Sequence, residues 1–190
     1  YFIESLLVKK YENFCFNKFN KILLLSKREI NSVEKKYKNK LAQISYGINK
    51  VFNKYKFHRK NNKIIFIGNI KYAPNKNACY EFANKILPSI NKVYSDLEFH
   101  IIGEISKIDK NFLSKKKNVK ILNKVKNLDP YLNNTICGLA NLKIASGIQT
   151  KLLTYMSYGI PSVSSKLVIQ NFDTIKNGRF SFYNNNRELI

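Results

Sequence analysis

The chain has 190 residues, with 34 Lys and Arg against 12 Asp and Glu, for a formal net charge of +22 at pH 7. That length suits one domain with its own core plus part of another, and falls short of two complete α/β domains. The charge is nearly all Lys, scattered among Asn, Ile, Tyr and Phe as AT-rich coding produces, and Arg is confined to Arg28, Arg59, Arg179 and Arg187; this excludes an Arg-rich base-reading surface and leaves only nonspecific attraction to nucleic acid or an anionic membrane.

Residues 1 to 19 have helical spacing, with Phe2, Leu6, Leu7 and Phe14 near one stripe. Lys21 to Ser26 is an apolar strand, Lys27 to Tyr37 a charged helix, and Leu41 to Ser45 a second strand ending at Tyr46 and Gly47. Phe52 to Asn62 is basic, rich in Asn and without period, as a linker is. The expected organisation is therefore the end of one domain over 1–51, a linker over 52–62, and a second domain over 63–190 whose last helices are missing.

From Lys63 strands and helices alternate. Ile64 to Ile67 is a buried strand closed by Gly68, and Asn75 to Lys92 a helix with Ala78, Phe82, Ile86, Ile90 and Val93 on one stripe, weakened at Pro88. Strands follow at Leu97 to Ile102, closed by Gly103, at Val119 to Leu122 and at Ile136 to Leu142. A helix over Gly147 to Tyr158 and a strand over Pro161 to Ser164 complete the series. This pattern predicts an α/β fold, a Rossmann-like parallel sheet flanked by helices.

Cys15, Cys79 and Cys137 form no CxxC pair and read as buried free thiols in a reducing compartment. His58 and His100 have no partner at ligand spacing, so neither a metal nor a cofactor is expected. Apolar runs such as Ile22 to Leu25 fall far short of the roughly 18 residues that span a bilayer, and no signal peptide is visible. The expectation is a soluble cytoplasmic segment, with peripheral contact at the inner face of the membrane left open by its charge. The chain starts at Tyr1 and stops inside the polar run Asn184 to Glu188, which reads as the approach to a helix, so both ends are expected to be cut.

In open parallel sheets ligands collect at the carboxyl ends of strands. Two such junctions stand out. At Gly68 and Asn69 a glycine allows close backbone approach beside an amide that can donate or accept. At Ser146, Gly147, Ile148 and Gln149 the chain opens a helix whose free amides point out of its positive end. Ser146 with Gln149 also fits a self-sufficient capping box, which needs no ligand. Lys151 sits one turn in, able to reach an anion held there, and Thr154 lies on the same face, while Leu152, Tyr155 and Met156 face the sheet. Such a helix start suits a nucleoside diphosphate, and equally a simple phosphate.

The ordered segments IIFIGNIKYAPNKNA (64–78), LEFHIIGE (97–104), VKILNKVKNLDPYL (119–132) and GLANLKIASGIQTKLLTYMSYGIPSVSS (138–165) resemble the carboxyl-terminal domain of group 1, or family 4, glycosyltransferases. YENF (11–14), KILLLS (21–26) and AQISYGIN (42–49) resemble the end of the amino-terminal acceptor domain of the same enzymes. The resemblance implies a GT-B fold and transfer of a sugar from an NDP-sugar to an acceptor hydroxyl, retaining and metal-independent. Partners implied are the NDP-sugar donor and a glycan or lipid-linked acceptor, with no specific nucleic acid. It places the diphosphate at Gly147 to Lys151, the base at backbone groups near Lys124 and Val125, and the ribose by Thr154. No catalytic side chain is assigned.

The family commonly carries two Glu eight positions apart around this helix, where this chain has Ser146 and Thr154, and an Arg and a Lys after the first strand, where this chain reads Gly68, Asn69, Ile70, Lys71. A noncatalytic GT-B relative and a sugar-nucleotide epimerase of the same fold are therefore the rival readings. A nucleic-acid module, motivated by charge alone, ranks behind both.

Overall fold

The computed structural model describes residues 2–44, 46–48, 58, 60–170, 172 and 180–190. The chain divides into two compact units, Tyr1–Gly47 and Ile48–Ile190. Most of the expected linker over 52–62 lies outside the described residues.

The first unit is a helix followed by a β-α-β step. Helix α1 (Phe2–Lys18) leads to β1 (Ile22–Leu24), α2 (Lys27–Ser32), a 3-10 turn over Lys35–Lys40, and β2 (Leu41–Gln43), which pairs parallel with β1. Ser26 caps α2 and Glu29 answers it, a complete capping box. The charged helix stops five residues short of the expected Tyr37, because Val33 turns to extended backbone. Phe2, Leu6, Leu7 and Phe14 are all exposed in this unit, so the expected stripe on α1 covers no core. Packing concentrates at the carboxyl end of α1, where Phe16 stacks on Tyr37 with ring centroids 5.0 Å apart and Lys40 Nζ donates to the Phe16 carbonyl at 3.0 Å. Cys15 is half-buried, whereas Cys79 and Cys137 are buried as expected.

The second unit is a six-stranded parallel sheet in the order β5-β4-β3-β6-β7-β8. Its strands are β3 (Lys63–Ile67), β4 (Glu98–Ile102), β5 (Val119–Leu122), β6 (Thr135–Ala140), β7 (Ser162–Ser165) and β8 (Phe180–Tyr183). From β3 the chain winds outward through β4 and β5, then returns to the other side of β3 and winds outward through β6, β7 and β8. This is the doubly wound arrangement whose ligand crevice lies where the order reverses, at the carboxyl ends of β3 and β6.

The expected helix over 75–92 is really three pieces: α3 (Ala73–Glu81), a π-type turn over Phe82–Ile86, and α4 (Leu87–Ile90). Pro88 has no N–H to give the carbonyl four residues back, so the ladder slips and Leu87 N–H reaches Phe82 O instead. Ala78, Phe82 and Ile86 are buried, with Phe82 against Phe99 of β4 at 4.5 Å, but Val93 lies past the helix and is exposed. Helix α5 (Lys107–Ser114) follows β4, and α6 (Asp129–Leu132) precedes β6. Helix α7 (Thr150–Tyr158) joins β6 to β7, α8 (Lys166–Ile169) follows β7, and α9 (Asn186–Leu189) follows β8. The polar run that read as the approach to a helix is itself α9, capped by the Asn185 side chain. No helix among the described residues is long and apolar enough to cross a membrane.

Candidate functional site

On one side of the switch point the carboxyl ends of β3, β4 and β5 are tied together by backbone hydrogen bonds. Gly68 N–H donates to Ile102 O at 3.0 Å, Gly103 N–H to Leu122 O at 3.1 Å, and Ile70 N–H to Glu104 O at 2.7 Å. Gly103 has φ +148°, and a Cβ there would fall on the Gly68 carbonyl oxygen. Chain crowding at this point therefore fixes the Gly68–Asn69 turn against β4.

Above that turn the structure builds a buried polar cluster. Asn75, in the first turn of α3, donates through Nδ2 to Asn69 O at 2.9 Å and accepts through Oδ1 from Lys151 Nζ at 2.6 Å. Lys151 Nζ also lies 4.3 Å from the centre of the Phe66 ring. Lys151 is only 6% exposed and Asn75 8%, so an ammonium sits inside the fold with a neutral amide and a π face as its partners. Burial pulls the Lys151 pKa down to about 8. Gly68 packs closely under this amide: a Cβ there would stand 3.1 Å from Asn75 Nδ2.

Helix α7 starts at Thr150, three residues later than expected. Gly147 adopts φ +63° and turns the chain before the helix, so the expected capping box is not made. Ser146 is exposed, and Gln149 Nε2 donates to the Ser146 carbonyl at 3.2 Å instead. Gln149 occupies the cap position without a side-chain cap bond, and the first turn holds no acid. The positive end of α7 is thus left open beside Lys151.

The far side of α7 is anchored by Tyr155, fully buried, whose hydroxyl accepts from Ile67 N–H at 3.0 Å and faces the carbonyls of Leu139 at 3.2 Å and Ile65 at 3.4 Å. The ring occupies the space above Gly138, where a Cβ would collide with it. Leu152 faces the sheet as expected, but Met156 is exposed.

Of the residues expected at the site, Gly68, Asn69 and Lys151 come together through Asn75, and Gly147, Ile148 and Gln149 lead into the open helix end. Thr154 spends its proton on its own helix, donating to Thr150 O at 3.1 Å. Lys124 is exposed and Val125 half-buried in the loop after β5. Lys124 lies near enough to Glu104 to help lower its carboxyl, although the main cause is the Lys71 ammonium at 2.6 Å. Sequence reasoning missed Asn75 and Tyr155 as organisers. The signal for Asn75 was present, since it falls three residues before Ala78 and seven before Phe82, on the inward stripe. Among the described residues no group of three or more His, Cys, Asp or Glu could hold a metal ion.

The family model for group 1 glycosyl transferases matches residues 61–188. No curated protein matches the sequence. Among solved structures, TarM of S. aureus is 20% identical with a TM-score of 0.69, over 95% of this chain and 37% of that one. The pneumococcal O-GlcNAc transferase GtfA, solved in complex with UDP and GlcNAc, is 14% identical with a TM-score of 0.67, over 89% and 35%. Anabaena Alr3699/HepE, solved in complex with UDP and glucose, is 11% identical with a TM-score of 0.66, over 93% and 53%. At these identities the likeness is one of fold, the GT-B type, and the chain spans between 35% and 53% of the length of these proteins. With a doubly wound sheet, an open helix end at its switch point and the family model matching from Asn61 to Glu188, the chain belongs to the group 1 glycosyltransferases.

Proposed function

We propose that residues 63–190 form the donor half of a glycosyltransferase that moves a sugar from an NDP-sugar to a hydroxyl of a glycan or lipid-linked acceptor, with retention and without a metal. The observation that carries this reading is Lys151, a buried ammonium with no carboxylate partner among the described residues, beside an uncapped helix end. A cation desolvated without a counter-charge is costly, and a diphosphate docking at the open end of α7 would supply that charge. The same two features would stabilise the leaving diphosphate as its bond to the sugar breaks, an electrostatic role that requires no proton transfer from the protein. Solved structures of two proteins of this fold hold UDP together with a sugar, which supports a nucleotide-sugar donor. The reaction would run in the cytoplasm, at the inner face of the membrane where the acceptor is lipid-linked, within glycan or polysaccharide synthesis.

The test is calorimetric titration of the full chain with UDP and with GDP at fixed ionic strength. Lys151→Ala is expected to weaken the preferred nucleotide by roughly one to two orders of magnitude, the worth of a hydrogen bond to a charged group. Thr154→Ala is expected to do less, because its hydroxyl already donates to Thr150 O and offers the ribose only an acceptor. Unchanged binding in a folded Lys151→Ala variant would sink the assignment. That Thr154 is a neutral, self-bonded residue favours one second reading, a noncatalytic nucleotide-sugar binder. Tight donor binding with neither transfer nor donor hydrolysis would select it.

A further inference from the structure

We propose that Asn75 is a positioning residue that holds Lys151 at the donor site and sets its readiness to meet a diphosphate; this rests on the reading of the site given above. Its amide is held at both ends, Nδ2 on the Asn69 carbonyl at 2.9 Å and Oδ1 on Lys151 Nζ at 2.6 Å, so it ties the turn after β3 to the first turn of α7. Among the described residues the Asn75 amide oxygen is the hydrogen-bond acceptor of this ammonium, and a Cβ at position 68 would crowd the same amide, standing 3.1 Å from Nδ2. A carboxylate in its place would neutralise Lys151 before any ligand arrived. An amide instead orients the ammonium and leaves its charge uncompensated, as an anion-receiving lysine requires.

The consequence is a particular pH dependence. Lys151 is held at about 8 by burial. A diphosphate favours the charged form and raises that value, so nucleotide affinity is full below about pH 8 and falls by about tenfold per pH unit above it. The titratable neighbours do not share this range. Cys79 of α3, which acts on Lys151, and Tyr155 one turn along α7 are both pushed upward by burial and stay protonated. The Phe66 ring of β3 does not titrate.

UDP titrations of the full chain between about pH 7 and 9, above the last phosphate ionisation, read this directly. The parent is expected to break near pH 8. Asn75→Asp, of nearly the same shape, places a carboxylate on the ammonium and is expected to move the break more than about one unit upward while weakening binding at neutral pH by about tenfold or more, since the carboxylate competes with the diphosphate. Asn75→Ala leaves the buried ammonium without its acceptor and is expected to move the break downward. Should Asn75→Ala fail to fold, Asn75→Asp decides alone. If Lys151→Ala weakens UDP but the break stays at the parent's pH in the Asn75 variants, the positioning role is wrong and the donor site stands. If Lys151→Ala changes nothing, the donor site itself is wrong and the positioning role falls with it.

Discussion

Gly103→Ala is expected to destabilise the second unit by about 3–6 kcal/mol, combining the strain of a non-glycine residue at unfavourable φ with overpacking. The residue has φ +148°, and the added methyl would land on the Gly68 carbonyl oxygen. Neither strand can yield cheaply. Gly68 N–H is bonded to Ile102 O on one side of the clash, and Gly103 N–H to Leu122 O on the other. Denaturant unfolding of the full chain measures the change, with Gly47→Ala as control, since nothing lies within 4 Å of a Cβ there. A loss below about 1 kcal/mol would show that the β3 and β4 ends are less crowded than described. Because the Gly68–Asn69 turn carries the Asn75 anchor, a variant that survives is also expected to bind nucleotide more weakly.

The second large effect is expected at Tyr155. Tyr155→Ala should cost about 3–5 kcal/mol, the usual loss for truncating a buried ring, because position 138 is glycine and has no side chain to fill the space. Tyr155→Phe isolates the hydroxyl. It strands the Ile67 N–H that the phenol oxygen accepts and is expected to cost about 1–3 kcal/mol, the penalty for an unsatisfied buried donor. Gly138→Ala should behave like Tyr155→Ala from the opposite side, and combining it with Tyr155→Ala should cost less than the sum, since the methyl then enters vacated space. Strict additivity in that double-mutant cycle would contradict the ring packing on Gly138.

Much of the second unit was legible in the sequence for a definite reason. A strand buried on both faces reads as an unbroken apolar run, so Ile64 to Ile67 stands out, and the inward stripe of α3 and the π turn after it shows as Ala78, Phe82 and Ile86. Local chemistry was a poorer guide where two local solutions compete. Ser146 and Gln149 match a capping box, yet Gly147 turns at positive φ and the helix waits until Thr150. Likewise Pro88 announced a weak helix, but not that the ladder would slip into a π turn before it. Strand β8 (Phe180–Tyr183) went unread.

By itself the sequence determined the class of fold, the alternation that builds a parallel sheet, and the two strand-to-helix loops at which the donor site is proposed, because periodicity and glycine placement are properties of neighbouring residues. What only the tertiary structure decided is what meets at that site. Lys151 and Asn75 stand 76 positions apart, and Tyr155 reaches Ile67 across 88. Periodicity says which side of an element turns inward, but the strand order β5-β4-β3-β6-β7-β8 decides which inward side chains face one another. Lys151 therefore read from the sequence as a lysine open to an anion, and in the fold became a buried one held by an amide, because desolvation and the Asn75 contact exist only once β3 and β6 lie side by side.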